Sequence, residues 1–373
     1  MNFMLIVTGI LTGATLVLAL LVGALLWLTK RSSRRYWRAV MWGHAGLVVL
    51  HLFVTAPAVL GYMGSFRDLG FFRFGTRGDE RAYQGPRIDA AGHLLVQDRD
   101  SLASEAAAGK APVGDDVLAA AKARAQFVDS SDGVKVRTFR IEAPGDQPVA
   151  VAVLVHGLFR SALELEAVAS MLHERGLECW LCEMRNHGGS SRASFTGGLR
   201  ESDDVVALVE HVRRQPGRAQ LPMVLFGVSL GTIAVGYALP RLDGIAGVVL
   251  DAPIDDLLAT AHRLMQKRLG LWEPWRSLVL TWLGWWSGFA VADVSLIERV
   301  ATLPHDLPVL VFAEGLDDRA TPESVRALFE RLPMQEPLKE LVEVPEVGHG
   351  HAFVAQPALY DAALGRLLQR LRR

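Results

Sequence analysis

Gly227-Val228-Ser229-Leu230-Gly231 joins a run that reads as a strand, Met223 to Phe226, to one that reads as a helix, Thr232 to Leu239. A reversal from strand to helix in so few residues forces the central serine into a strained backbone conformation. It also needs glycine on either side, so that the two elements can approach without a clash. The hydroxyl of Ser229 is thereby presented above the edge of a sheet. Such a turn belongs to a chain in which strands and helices alternate.

From Phe127 the chain has that alternation. Val134 to Ile141 alternates apolar and polar residues like a half-buried strand, and Val149 to Val155 is a continuous apolar run like a strand covered on both faces. A helical Ser161 to Arg175, a strand around Trp180 and a helical Ser202 to Arg214 precede the serine turn. Strands at Ile245 to Leu250, Pro308 to Phe312 and Lys339 to Val344 follow it, and an amphipathic helix from Pro357 to Leu371 ends the series. The expectation is an α/β domain over 127–373, a mostly parallel sheet with helices on both faces. About 253–303 breaks the rhythm and carries Trp272, Trp275, Trp282, Trp285 and Trp286, which reads as a small helical cap. Its tryptophans serve either packing or contact with substrate or membrane, packing being the commoner use.

A serine hydroxyl is a weak nucleophile at neutral pH and needs a base within hydrogen-bond reach, with an acid to hold the base's tautomer. Three further segments bear on this: Ala313-Glu314-Gly315-Leu316-Asp317-Asp318-Arg319-Ala320-Thr321-Pro322, Pro345-Glu346-Val347-Gly348-His349-Gly350-His351, and His156-Gly157-Leu158-Phe159. A fourth, Glu183-Met184-Arg185-Asn186-His187-Gly188-Gly189-Ser190-Ser191, follows the strand around Trp180. With the serine turn, these segments resemble the motifs of the α/β-hydrolase superfamily, in order and at the expected element junctions. The resemblance covers roughly Phe127 to Arg373. It is greatest to the exported or membrane-tethered esterase and lysophospholipase-like, serine aminopeptidase-like branch.

That resemblance implies Ser229 as nucleophile and His349 as general base, with His351 in reserve. It implies Asp318 as the acid, by the register of a G-x-x-D-x-x-x-P loop. Asp317 is then a neighbour facing elsewhere, and Asp251 is the other position from which some members supply the acid. The oxyanion would be held by the backbone N–H groups of Leu230 and Leu158, a contribution of about 10²- to 10³-fold per donor. His156 becomes a structural residue of the oxyanion loop. The segment Glu183 to Ser191 resembles D-x-R-G-H-G-x-S, with Glu183 in place of Asp and Asn186 in place of Gly, and has a scaffold role. No metal and no organic cofactor is implied.

Ahead of this domain the chain is of another kind. Phe3 to Leu28 holds no charge, and about 20 apolar residues cross a bilayer core. With only Met1 and Asn2 before it and a run about twice the length of a signal-peptide core, it reads as an uncleaved anchor. Ala39 to Met63 is a second uncharged run. The expectation is a transmembrane hairpin over 1–63, with spans of about 3–29 and 39–63, followed by a connector over 64–126 that includes an alanine-rich stretch. Between the runs lies Lys30-Arg31-Ser32-Ser33-Arg34-Arg35-Tyr36-Trp37-Arg38, which the positive-inside rule puts in the cytoplasm and the hydrolase domain outside it. His44 and His51, seven apart on the second run, read as neutral histidines in helix contacts. Cys179 and Cys182 lie three apart on one strand, hence on opposite faces, and read as core.

The net charge of -1 over 373 residues gives no reason for a nucleic-acid partner. The sequence therefore points to a membrane-anchored serine hydrolase acting on a small-molecule or lipid ester with an apolar acyl group. A peptidase, thioesterase or acyltransferase would use the same triad, and a catalytically idle binding domain is the reading of another class. The sequence gives no sign of oligomeric state.

Overall fold

The computed structural model describes residues 3–28, 34–65, 125–145, 147–158, 160 and 162–371. The connector expected at 64–126 falls almost wholly outside them. In chain order the elements begin with helices α1 (Phe3–Leu28), α2 (Arg34–Leu50) and α3 (Ala56–Ser65). Then come β1 (Gln126–Asp129), β2 (Lys135–Ile141), β3 (Ala150–Val155), α4 (Glu166–His173), β4 (Leu177–Glu183), α5 (Glu201–Arg213), β5 (Met223–Val228), α6 (Leu230–Ala238) and β6 (Ile245–Asp251). Helices α7 (Leu257–Leu269), α8 (Trp275–Ser287) and α9 (Leu296–Val300) follow, then β7 (Val309–Glu314), α10 (Pro322–Arg331), β8 (Lys339–Val344), α11 (Ala352–Ala355) and α12 (Pro357–Gln369). The chain divides into two compact units, one of Met1–Asp68 with Leu258–Val291, the other of Leu69–Leu257 with Ala292–Arg373. The cap helices are thus grouped with the N-terminal helices rather than with the sheet.

The sheet unit carries eight strands in the order β1-β2-β4-β3-β5-β6-β7-β8. β1 and β2 pair antiparallel, as do β2 and β4, and every other pairing is parallel. This is the α/β-hydrolase fold. The interior strands β3 to β7 are buried along their whole length, as a parallel sheet covered on both faces requires. One core joins Leu154, Phe226 and Phe312 of the sheet to Leu172 of α4 and Tyr360 and Leu364 of α12. Cys179 and Cys182 are free thiols buried on β4.

Charges that enter this unit are paired. Arg185 is 1 % exposed and donates to Asp204, with Nη2 to Oδ1 at 2.8 Å, while Ser130 Oγ donates to the same carboxylate at 2.6 Å. Removing one partner of such a buried pair typically costs about 3–5 kcal/mol, because the other charge is left uncompensated. This network fixes the segment after β4 against α5. There Asn186 takes φ 65° and Gly188 φ 49°, and Glu183 Oε2 accepts from Arg137 Nε at 2.6 Å and from Gly189 N at 2.8 Å.

In the helical unit α2 and α3 are joined by one π-helical turn, His51–Thr55. Among the described residues one helical stretch, Arg34–Gly61, is long and apolar enough to cross a membrane, and Thr12–Trp27 within α1 is a shorter apolar one. His44 Nε2 meets Thr15 Oγ1 of α1 at 3.4 Å, and His51 Nδ1 meets Thr55 Oγ1 at 3.2 Å. Ala56, Leu271, Trp275 and Val279 form the unit's core, with Leu52, Leu60, Met265 and Leu278 packed against it. Gly61 permits a close approach of α3 to α8, since a Cβ there would lie 2.6 Å from both Trp282 Cβ and Leu283 N. Of the cap tryptophans, Trp275 is buried, Trp282 and Trp286 are half-buried, and Trp272 and Trp285 are exposed.

Candidate active site

Ser229 stands between β5 and α6 with φ 55° and ψ −119°, a combination that L-residues rarely adopt. The turn is held from below, because Ser229 N donates to Asp251 O at 2.9 Å and Thr232 N to Ser229 O at 2.9 Å. Its glycines are sterically required. A Cβ on Gly231 would run into the Val155 carbonyl oxygen, and one on Gly227 into Gly231 O.

His349 follows β8 and reaches this serine, with Nε2 2.6 Å from Ser229 Oγ. Its Nδ1 lies 2.6 Å from Asp317 Oδ2. A carboxylate only accepts, so Nδ1 carries the proton and Nε2 is left to accept from the serine hydroxyl. The three side chains thus form a continuous chain in which a proton can leave Oγ.

The acid in contact with His349 is Asp317, not the Asp318 that the motif register pointed to. The physical reason is the hydrogen bonding of the loop that follows β7, which the spacing from Gly315 does not reveal. Gly315 N donates to Val344 O and Leu316 N to Val347 O, both at 2.9 Å, which ties the loop to β8. Asp317 N then donates to Glu314 O at 3.2 Å, turning the buried Asp317 inward. Its Oδ1 accepts from Arg319 N at 2.7 Å and Ala320 N at 3.1 Å, which leaves Oδ2 aimed at the histidine. Asp318, one residue on, is half-buried.

Asp251 is fully buried at the end of β6 and accepts from Tyr360 Oη at 2.7 Å. Burial and the Asp251 carboxylate push the Tyr360 phenol well above its ordinary value. His351, the alternative histidine, caps the short α11 and donates its backbone N–H to Glu314 Oε1 at 2.9 Å.

Glu314 was not singled out from sequence. It is fully buried, and its carboxyl accepts from Gly350 N at 2.7 Å, His351 N at 2.9 Å and Ala352 N at 3.0 Å. These donors directly follow His349, so one side chain at the end of β7 grips the loop that carries the base. Burial and then the charge of Asp251 push this carboxyl well above its usual range, against the lowering effect of the Gly350 N–H. The signal available in the sequence was an acid at the end of an apolar strand. Glu314, Asp317 and His349 also offer ligand atoms within 4.8 Å of one another. A cation there would have to displace the hydrogen bonds just described.

The loop after β3 lies beside the serine, since a Cβ on Gly157 would sit 3.2 Å from Ser229 Cβ. His156 beneath it is fully buried; its Nε2 accepts from Met184 N at 3.2 Å and its Nδ1 donates to Gly157 O at 2.7 Å. His187 packs edge-on to it at 4.6 Å, and burial followed by His156 pushes His187 well below its ordinary value. Leu158 stands in the turn next to Gly157, and Leu230 is the first residue of α6, where backbone N–H groups lack helical acceptors.

Residues 146–289 match the family model described as serine aminopeptidase, S33. No curated protein matches the chain. Among solved structures, an esterase of Pyrococcus furiosus is similar at 20% identity and TM-score 0.54, over 66% of this chain and 92% of that one. A thermophilic esterase of Thermogutta terrifontis is similar at 16% identity and TM-score 0.50, over 66% of this chain and 98% of that one. At such identities these likenesses speak for the fold.

Proposed function

We propose that this chain, which has the α/β-hydrolase fold and matches a serine aminopeptidase family model over part of its length, is a serine esterase held at a membrane by its N-terminal helices. The observation that carries the reading is the unbroken chain from Ser229 Oγ through His349 to Asp317, with 2.6 Å at each link. In the reaction His349 Nε2 takes the hydroxyl proton as Oγ attacks the ester carbonyl. The N–H groups of Leu230 and Leu158 hold the oxyanion, and the protonated imidazole gives its proton to the departing alcohol. Water activated by the same nitrogen then releases the acid from the acyl-enzyme. Asp317 keeps the imidazole in the required tautomer and stabilises its charged form.

The preference for an apolar acyl group is supported by the tryptophans of the cap and by their packing with the N-terminal helices. Two spans, with the hydrolase on the non-cytoplasmic side, are supported by the uncharged run of α1, by Arg34–Gly61 and by the basic turn between them. A peptide-bond reading is favoured only by the name of the matching family model, and hydrolysis of aminoacyl anilides faster than of esters would select it.

The test is covalent labelling of the detergent-solubilised protein by a fluorophosphonate. Wild type is expected to label, and Ser229→Ala and His349→Ala are expected to lose labelling and ester hydrolysis by at least about 10⁴-fold. Unlabelled wild-type protein would instead favour a binding domain without catalysis. A flat profile across acyl chain lengths would remove the apolar preference.

A further inference from the structure

The cap helices do not only share a core with α3; α8 runs alongside it in the same direction. Phe53, in the π-turn before α3, stacks on Trp275 at 6.2 Å. Eight residues later Gly61 meets Trp282 and Leu283, seven and eight residues after Trp275. Equal steps along both helices at about 1.5 Å per residue mean that the two axes advance together. Trp272 extends the stack, at 5.6 Å from Trp275, toward the α7–α8 turn, and that turn is apolar and exposed at Leu269 and Trp272.

This alignment assigns depths. From Arg38, the last cation of the basic turn, to Phe53 is about 22 Å of helix, and to Gly61 about 34 Å. A hydrocarbon core is about 30 Å thick. Trp275 therefore lies level with the far leaflet's acyl region, the α7–α8 turn about one helical turn deeper, and Trp285 level with its headgroups. The charges near the turn are paired with one another. Glu273 Oε1 pairs with His262 Nδ1 at 3.1 Å and Arg276 Nε at 3.4 Å, and Arg276 Nη1 donates to Gln266 at 2.9 Å. Lys267 and Arg268 close the last turn of α7, where long basic side chains can reach up to phosphate while their stems stay in apolar surroundings.

We propose that the α7–α8 hairpin is a bilayer-inserted element. Its tip, Leu269 to Trp275, enters the acyl region of the leaflet away from Arg38, and Trp285 sits among that leaflet's headgroups. The occupant of the exposed tryptophan face is lipid, and the substrate class that follows is an ester resident in that leaflet. The inference rests on the membrane-held reading above, but it concerns the cap and does not depend on the catalytic assignment.

The experiment places an environment-sensitive fluorophore at single cysteines in the full chain, reconstituted in vesicles that contain anionic lipid. Cys179 and Cys182 are buried, and burial pushes both thiols up, so they stay unlabelled. Leu269→Cys and Trp272→Cys report the tip, Trp285→Cys the upper end, Val49→Cys the span and Arg214→Cys the sheet unit; each of these side chains is exposed. Spin-labelled acyl chains are expected to quench Leu269→Cys and Trp272→Cys to within about twofold of Val49→Cys, and to leave Arg214→Cys unquenched. Headgroup labels are expected to quench Trp285→Cys more than acyl labels do. Tip sites as unquenched as Arg214→Cys, with Val49→Cys strongly quenched, would overturn the inserted cap and leave the anchor standing. Absence of quenching at all five would overturn both.

Discussion

In the sheet unit Val151, Leu154, Phe226 and Phe312 are fully enclosed, and among the described residues its large exposed apolar side chains are Phe127, Val149, Leu316 and Leu359. In the helical unit Leu18, Leu21, Trp27, Met41, Trp42 and Val49 are more than half exposed. Charge is distributed the other way. Arg185, Glu178, Asp251 and Glu314 lie inside the sheet unit, each held by polar partners. Both units use glycine for close approach, Gly231 against Val155 and Gly61 against Trp282, but they pack by opposite solvent logic. The contrast teaches that the catalytic unit gains its rigidity from satisfied buried polar groups, as a protein in water does. The helical unit leaves apolar surface exposed, which would carry no penalty in the bilayer proposed for it.

The largest effect that could break this contrast lies in the sheet unit. Asp317→Asn is expected to lower kcat about 10³- to 10⁴-fold by removing the acceptor that sets the His349 tautomer. Asp318→Asn is expected to stay within about tenfold of wild type. Equal losses in ester turnover for the two would refute the assignment of the acid.

Glu314→Gln sharpens the point about buried polar order. An amide cannot accept from Gly350 and also from His351 and Ala352, so one end of the grip is lost. Because a misplacement of about 1 Å can cost about 10²-fold, kcat is expected to drop about 10- to 100-fold with KM little changed. Steady-state kinetics with unchanged kcat would mean that the His349 loop holds itself.

In the helical unit Gly61→Leu is expected to separate α3 from α8, at a cost of about 1–3 kcal/mol. Melting of the solubilised protein, followed at the tryptophans, should shift, while turnover of a soluble short-chain ester stays near wild type. Loss of both together would show that the two units are not independent.

The smallest effect concerns Glu178, which accepts from Arg140 at 2.7 Å and Arg218 at 2.8 Å. Burial raises its carboxyl, but the hydrogen bonds of Arg218, Arg140 and Trp180 outweigh that and leave it below the ordinary 4.5. A depressed folded value contributes stability that is fully present above pH about 4.5 and is lost as pH falls through the folded value. Glu178→Gln should therefore be less stable than wild type near neutrality, and the difference should close in acid. A gap in denaturation midpoint that does not change between pH 7 and pH 3 would contradict this.

The elbow around Ser229, the strand at Lys339–Val344 and the pairing of His349 with the serine were legible because each rests on local pattern. Tight turns demand glycine, strands demand apolar runs, and a histidine loop precedes a final helix. Asp317 was misread in favour of Asp318 for a reason of the same scale. The spacing from Gly315 points to Asp318, whereas it is Asp317 that the N–H groups of Arg319 and Ala320 hold in the inward turn. Glu314 showed in the sequence only as an acid at the end of an apolar strand, and its role stayed hidden because its partners are backbone N–H groups 36 to 38 positions away.

By itself the sequence determined the alternation of elements, the tight turn that holds Ser229 and the presence of apolar runs long enough to cross a bilayer. These depend on neighbours within a few residues, where steric and periodic rules act directly. Only the tertiary structure decided which carboxylate meets His349, how the buried acids share their donors, and that α8 packs on α3 rather than grouping with the sheet. Those outcomes depend on segments brought together across the chain, where a shift of one residue in register or a single missing Cβ selects between arrangements that the local pattern leaves equal.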